Sequence, residues 1–191
     1  MFITNSEPSR GEFASNFHVT LPDVILRDGT RVNIRPIRPG DDHALVDAFH
    51  RMSPETVYQR FFAALPEMSD AMAWHFSHID SANRMALVAE TADARAELIG
   101  VARYERTEEP DVVELGLVVL DAWQNRGLGR ILIRQVLEAA VRNGITRFRA
   151  EILSENRRML HLLATEAHIL QSRTQSGVTT VLLEPAVKIE D

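Results

Sequence analysis

The 191-residue sequence has no cysteine. That absence excludes disulfide bonds, thiolate metal sites and a cysteine nucleophile. Long apolar runs are missing as well, and none approaches the roughly 18 residues that cross a bilayer as a helix. Residues 1–18, MFITNSEPSRGEFASNFH, lack the basic-then-apolar layout of a secretory signal. A cytoplasmic location and no membrane role are therefore expected. Positive charge is in short supply, with 21 Lys and Arg against 27 Asp and Glu and a formal net charge of −6. Nucleic-acid binding as the main task is set aside, because neutralising phosphates needs a basic face.

The length suits a single globular domain able to bury a core without staples. Residues 1–22 are expected to be a flexible extension, 23–185 the domain and 186–191 a tail. VILRDGTRVNIRPI (24–37) reads as a hairpin about Asp28-Gly29. Arg38-Pro39-Gly40 breaks it, and Asp41 is expected to cap a helix over about 42–52. Ser53-Pro54 starts a second helix and Ser69 a third, over about 70–79. Three strands follow at 84–90, 96–106 and 112–120. Arg126 to Arg142 is a helix whose apolar face is Leu132, Ile133, Val136, Leu137 and Ala140. A strand over 146–153, a helix from Asn156 to Thr165 and a closing strand pair about Gln175-Ser176-Gly177 complete the order ββ-ααα-βββ-α-β-α-ββ. This is a mixed α/β domain, helices on one central sheet.

The chemistry concentrates in ELGLVVLDAWQNRGLGRILIRQVLEAA, Glu114 to Ala140. A P-loop needs GxxxxGK[ST], a string that does not occur. A Rossmann fingerprint needs a third glycine where Leu132 stands, although Glu151 falls near the place of a ribose-binding acid. The remaining pattern is Gln124-x-x-Gly127-x-Gly129, a glycine-rich helix start. Successive N–H groups at residues 126 to 130 face an anion there, and the helix dipole favours negative charge. Arg126 and Arg130 are placed to add charge from outside. Glu114 interrupts an otherwise apolar strand, a position a carboxylate seldom takes without a role.

These strings resemble the GNAT superfamily of acetyl-CoA-dependent N-acetyltransferases over roughly residues 27–184. VVLDAWQNRGLGRILI corresponds to the coenzyme A turn, and ILSENRRMLHLL to the strand and helix that follow. LRDGTRVNIRPIRPGDD, MSPETVYQRFF and VVELGLVVLDAWQNRGLG are similar to the Pat-type bacterial protein lysine acetyltransferases. The resemblance implies an α/β (α+β) fold, with a mixed, mostly antiparallel sheet flanked by helices and a splayed strand pair forming the acetyl-CoA cleft. It implies acetyl transfer to an amine, a protein lysine or a small molecule, by direct attack with no metal. Glu114 is then the base, at the matching place nine residues before Trp123. Partial burial, expected here, raises a carboxylate's proton affinity toward the range where bases work. A strand bulge is expected to free the amides of Leu117 and Val119, with Val118 between them in the coenzyme contact set. That set continues through Gln124, Asn125, Arg126, Gly127, Leu128, Gly129 and Arg130 to Asn156, which matches a pantetheine-contacting asparagine. Asn156 is alternatively a helix cap, with Ser154 its rival.

One departure stands out. Many relatives place a general-acid tyrosine seven residues after that asparagine, and here the residue is Leu163. A non-catalytic acyl-CoA-binding module therefore stays open as an alternative, and so does a homodimer. His75 and His78 share a helix face, but with no third ligand they are read as surface or packing residues.

Overall fold

The computed structural model describes residues 24–80, 83–109 and 111–186; the expected extension at 1–22 and most of the 186–191 tail lie outside them. The hairpin pairs β1 (Val24–Ile25) with β2 (Arg31–Pro36). Gly29 takes φ +84° in its turn, and the Thr30 amide donates to Asp28 Oδ1 at 3.0 Å, the local bonding that makes Asp-Gly a turn pair. Three helices follow: α1 (Asp42–His50), α2 (Pro54–Phe61) and α3 (Asp70–Ser77). Ser53 and Ser69 cap α2 and α3 by accepting the amides of Thr56 and Met72, as their positions imply. Next come β3 (Arg84–Thr91), β4 (Leu98–Arg106), β5 (Val113–Val119), α4 (Leu128–Arg142), β6 (Phe148–Leu153), α5 (Arg157–Glu166), β7 (Ala167–Gln175) and β8 (Val178–Pro185). The element order matches the sequence reading, with ends shifted by a residue or two.

The eight strands form one sheet in the order β1-β2-β3-β4-β5-β6-β8-β7. Every neighbouring pair is antiparallel except β5–β6. That exception follows from connectivity, because α4 returns the chain to the starting end before β6 begins. β3 and β4 are buried along nearly their whole length, α1 contacting β4 and α4 contacting β3, β4 and β5. A strand covered on both faces needs an unbroken apolar run, as LIGVA in β4 supplies. Leu132, Ile133, Val136, Leu137 and Ala140 of α4 are all fully buried, so the helical period read from sequence is the packing face. Among the described residues no helix is long and apolar enough to cross a membrane.

Asp41 corrects one expectation. Its carboxylate does not cap α1. It accepts two bonds from Arg35, at 2.8 and 2.9 Å, and the Arg38 amide at 2.7 Å, while Arg35 Nε donates to Glu90 at 2.9 Å. The chain turns sharply here, so a cation from β2 reaches the carboxylate before the helix amides do. Burial pushes the Asp41 carboxyl up, but the Arg35 guanidinium and the Arg38 amide outweigh it and hold it below its ordinary value. A carboxylate depressed in the folded state stabilises above its unfolded pKa and loses that contribution as pH falls through the folded one. Asp41→Asn is expected to lower stability by about 2 kcal/mol at pH 7. In urea titrations the difference from the parent protein shrinks below about pH 4; a gap unchanged at pH 3 would show the interaction to be non-ionic.

Candidate active site

A cleft of about 680 Å³ opens between β5 and β6. The two strands pair only at Val113↔Phe148 and Glu114↔Arg149. Beyond that point β5 keeps its register with β4 as far as Gly100↔Val119, while β6 stays with β8 through Leu153↔Val178. The register against β4 is constant from Val113 to Val119, so the expected bulge is absent. The strands part because each follows its other neighbour. The Val113 amide donates to the Arg147 carbonyl beside β6, and the Leu120 amide to Ile99 on β4. Alternation along a strand then points the Leu117 and Val119 amides into the gap and the Val118 amide at β4. The Val118 backbone belongs to the β4 ladder, and the residue borders the cleft.

The cleft floor is the start of α4. Asn125 and Gly127 have φ of 62° and 92°, and this left-handed pair folds the chain from the short 3₁₀ turn Asp121–Trp123 into the helix. No side chain caps α4, whereas α2 and α5, which also line the cleft, are capped. Gly127 accepts the first helical bond, from Ile131, so the amides of Leu128, Gly129 and Arg130 have no intrahelical acceptor. Open N–H groups at the positive end of a 15-residue helix form an anion site. The arginines expected to serve it are already engaged. Arg126 pairs with Asp28 at 3.0 Å and lies over Trp123, and Arg130 pairs with the buried Glu166, which also holds Arg134. Sequence reasoning missed Arg27. The hairpin docks on the turn through the Arg27 amide and the Arg126 carbonyl at 3.1 Å, and the Arg27 side chain lies alongside Gly127.

The far wall is tied across the opening. Asn156 caps α5 through Met159 N and donates its Nδ2 to Gln59 on α2 at 3.1 Å. Ser154 is no rival cap, its hydroxyl meeting Thr179. Gln124 donates to the Val119 carbonyl at 3.0 Å and accepts from Arg158 at 2.9 Å. Asp121 receives the Ser53 amide and the hydroxyls of Ser53 and Thr56, fixing the start of α2 beside the glycine turn.

At the closed end of the gap Glu114 stands directly opposite Glu105 on β4 and Arg149 on β6. Its expected burial is not found; the side chain is exposed, although Glu114 is still paired with both neighbouring strands. Arg149 is taken by Glu109. Buried Arg103 is pushed down to about 10 by desolvation and by nearby Arg60, against the pull of Glu105. His75 lies 3.8 Å from Glu105, and His78 bonds to Ser77 and stacks on Trp74. Leu163 is fully buried in the core.

Residues 46–166 match the acetyltransferase (GNAT) family. The chain belongs to that family. It is 32% identical over 138 residues to an acetyltransferase of Pseudomonas aeruginosa, covering 72% of this chain and 74% of that one. The GNAT domain of S. lividans PAT has a similar structure, with TM-score 0.76 and 31% identity over 85% of this chain and 95% of that one. Acetyltransferase Pat of Mycolicibacterium smegmatis is 28% identical over 146 residues, 76% of this chain. The chain spans only 43% of that protein's length. This enzyme is thus an acetyltransferase.

The two glycines of the turn are needed for different reasons. Gly127 has φ +92°, while a Cβ on Gly129 meets Leu117 at 3.4 Å and Leu162 and Val119 at 3.7 Å, ordinary contacts. Gly127→Ala is therefore expected to cost about 1–2 kcal/mol, and Gly129→Ala within about 0.5 kcal/mol of zero. Urea midpoints check this; equal losses would contradict the assignment.

Proposed function

We propose that the enzyme takes its acetyl group from acetyl-CoA and delivers it to an amine, with a protein lysine as the acceptor class. The observation that carries this reading is the uncapped α4 N-terminus lying in the same cleft as the unpaired amides of β5, with a carboxylate at the closed end. The residues fit coenzyme A. The amides of Leu128, Gly129 and Arg130 suit its pyrophosphate, Gly127 and Gly129 leave room for close approach, and Arg27 adds a cation outside. Asn156 and the Leu117 and Val119 amides suit the pantetheine and thioester. Bound there, acetyl-CoA supplies an activated acyl group.

The chain's own residues supply the rest. A lysine ammonium, with a pKa near ~10.4, must lose a proton before its nitrogen can attack. Glu114 is the proposed base, and its exposure lets it pass that proton to bulk water. Glu105, directly opposite, adds a second negative charge that favours approach of a cationic amine. An open mouth beside an exposed base suits an acceptor carried on a large molecule, in keeping with the similarity to the Pat-type enzymes.

Incubation with labelled acetyl-CoA and whole lysate tests the acceptor class. Label is expected in the protein fraction; label confined to small molecules would give the acceptor as a free amine. Coenzyme binding with no acetylation of any amine would favour the non-catalytic reading instead. Glu114→Gln is expected to lower kcat by ~10²–10⁴ with little change in acetyl-CoA affinity; full retained activity rules Glu114 out as the base. Arg27→Ala is expected to raise KM for acetyl-CoA about 10-fold at nearly constant kcat, read from steady-state kinetics at fixed acceptor.

A further inference from the structure

Arg60 is the anomaly of the cleft wall. Six arginines of the described residues are not exposed, and five of them, Arg35, Arg84, Arg103, Arg126 and Arg149, meet a carboxylate or a carbonyl. Arg60, in the last turn of α2, makes no hydrogen bond or ion pair among those residues, and its guanidinium lies 5.3 Å from the centroid of the Phe61 ring. Its guanidinium lies over Gly116, where a Cβ would come within 3.0 Å of Nη2 and 3.2 Å of Cζ. Glycine at that point of β5 makes the seat. Gly116 immediately precedes Leu117, whose amide faces the gap, and lies two residues beyond Glu114. Both ends of α2 are fixed, by Asp121 at its start and by the Gln59–Asn156 bond near its end. Burial works against the Arg60 charge, with Glu114 and Glu105 opposing that effect. A cation held half out of water without a partner is costly, and such groups are characteristic of sites that act on charge.

We propose that Arg60 stabilises the negative charge that develops on the thioester during acetyl transfer. The proposal rests on the acetyltransferase reading above. Once neutral, the amine nitrogen forms the C–N bond at the acetyl carbonyl carbon, and the carbonyl π pair moves to oxygen. That pair then reforms the carbonyl, the C–S bond breaks and its electrons leave on sulfur as the thiolate. The proton that nitrogen sheds goes to Glu114. From addition to departure the reacting end carries negative charge, first on oxygen and then on sulfur. Among the described residues the cleft lining includes no tyrosine, its one histidine being the exposed His161 of α5, and Leu163 is sealed in the core. A guanidinium stays charged throughout and needs no proton transfer to act.

Arg60→Met and Arg60→Lys are compared with the parent enzyme, using acetyl-CoA with poly-L-lysine and, separately, with free lysine. Arg60→Met is expected to lower kcat roughly 100-fold with both acceptors. KM for acetyl-CoA and coenzyme A binding by calorimetry stay within about 2-fold of the parent, because the proposal removes nothing from the ground state. Arg60→Lys, which keeps the charge, recovers about 10-fold of the loss. Several results would overturn the proposal. A kcat for Arg60→Met within about 3-fold of the parent removes the role. A defect confined to KM for free lysine makes Arg60 a reader of the acceptor carboxylate. Recovery of kcat in Arg60→Met/Glu105→Gln reduces it to a counter-charge for the Glu105–Glu114 pair. A parent enzyme that acetylates neither acceptor nor any lysate amine removes the underlying reading, and the Arg60 proposal with it.

Discussion

The parting of β5 from β6 is the constraint around which the molecule is arranged. Unpaired strand amides in the middle of a sheet are costly when buried, and proteins keep few of them. The fold limits the cost by securing each strand on its other side. β5 is zipped to β4 without a register break, and β6 is zipped to β8. What remains open is a narrow strip on β5 containing Leu117 and Val119, and Gln124 closes even the Val119 carbonyl. The helix that crosses from β5 to β6 begins at the foot of the same gap, uncapped. Two sets of orphan N–H groups, one from a strand and one from a helix, thus face one cavity. Their positions follow from a single topological fact, the parallel β5–α4–β6 crossover in an otherwise antiparallel sheet.

Charge follows the same economy. The chain is acidic overall, yet Arg27, Arg60, Arg130, Arg157 and Arg158 line the cleft, and the arginines flanking the glycine turn, Arg126 and Arg130, are paired within the protein. Glu166 is nearly sealed from solvent and ties Arg130 and Arg134 of α4 to the end of α5. Asp28 holds Arg126 in the turn. These pairs fix the geometry of the glycine turn and spend the charge that sequence spacing assigned to the ligand. Arg27 beside the turn and Arg60 beside Gly116 are two lining arginines without an ion pair among the described residues.

Local signals were legible in the sequence, and signals made by folding were not. Asp28-Gly29, Ser53-Pro54, Ser69 and the period of α4 act within a turn or two of chain, so the structure keeps them. Asp41 looked like a cap because its neighbours in sequence are helical, but Arg35 from the adjacent strand outcompetes the helix amides. Asn156 had two readings, and it caps α5 while its other amide atom crosses to Gln59. Glu114 was expected to be partly buried because it interrupts an apolar run; at the last pair before β5 and β6 part, its side chain faces water. Arg27 and Arg60 carried no sequence signal, since each acquires meaning only from a glycine far along the chain, Gly127 or Gly116, on which its side chain rests.

The leucine at position 163 then has a physical consequence. Its side chain helps to anchor α5 in the core, so a proton donor cannot stand there without unpacking the helix that carries Asn156. The reaction tolerates this because its two possible leaving groups differ. While the adduct's nitrogen is still protonated, a thiol of pKa near ~8.5 departs as its anion more readily than an amine whose conjugate acid lies near ~10.4; loss of that proton leaves nitrogen no competitive way out, so the adduct collapses toward amide without help at sulfur. The demands on the protein shift accordingly, from supplying a proton to removing one and to holding charge while the bonds change. On the reading proposed above, the exposed Glu114 carboxylate meets the first demand and Arg60 of α2, seated beside Gly116, meets the second.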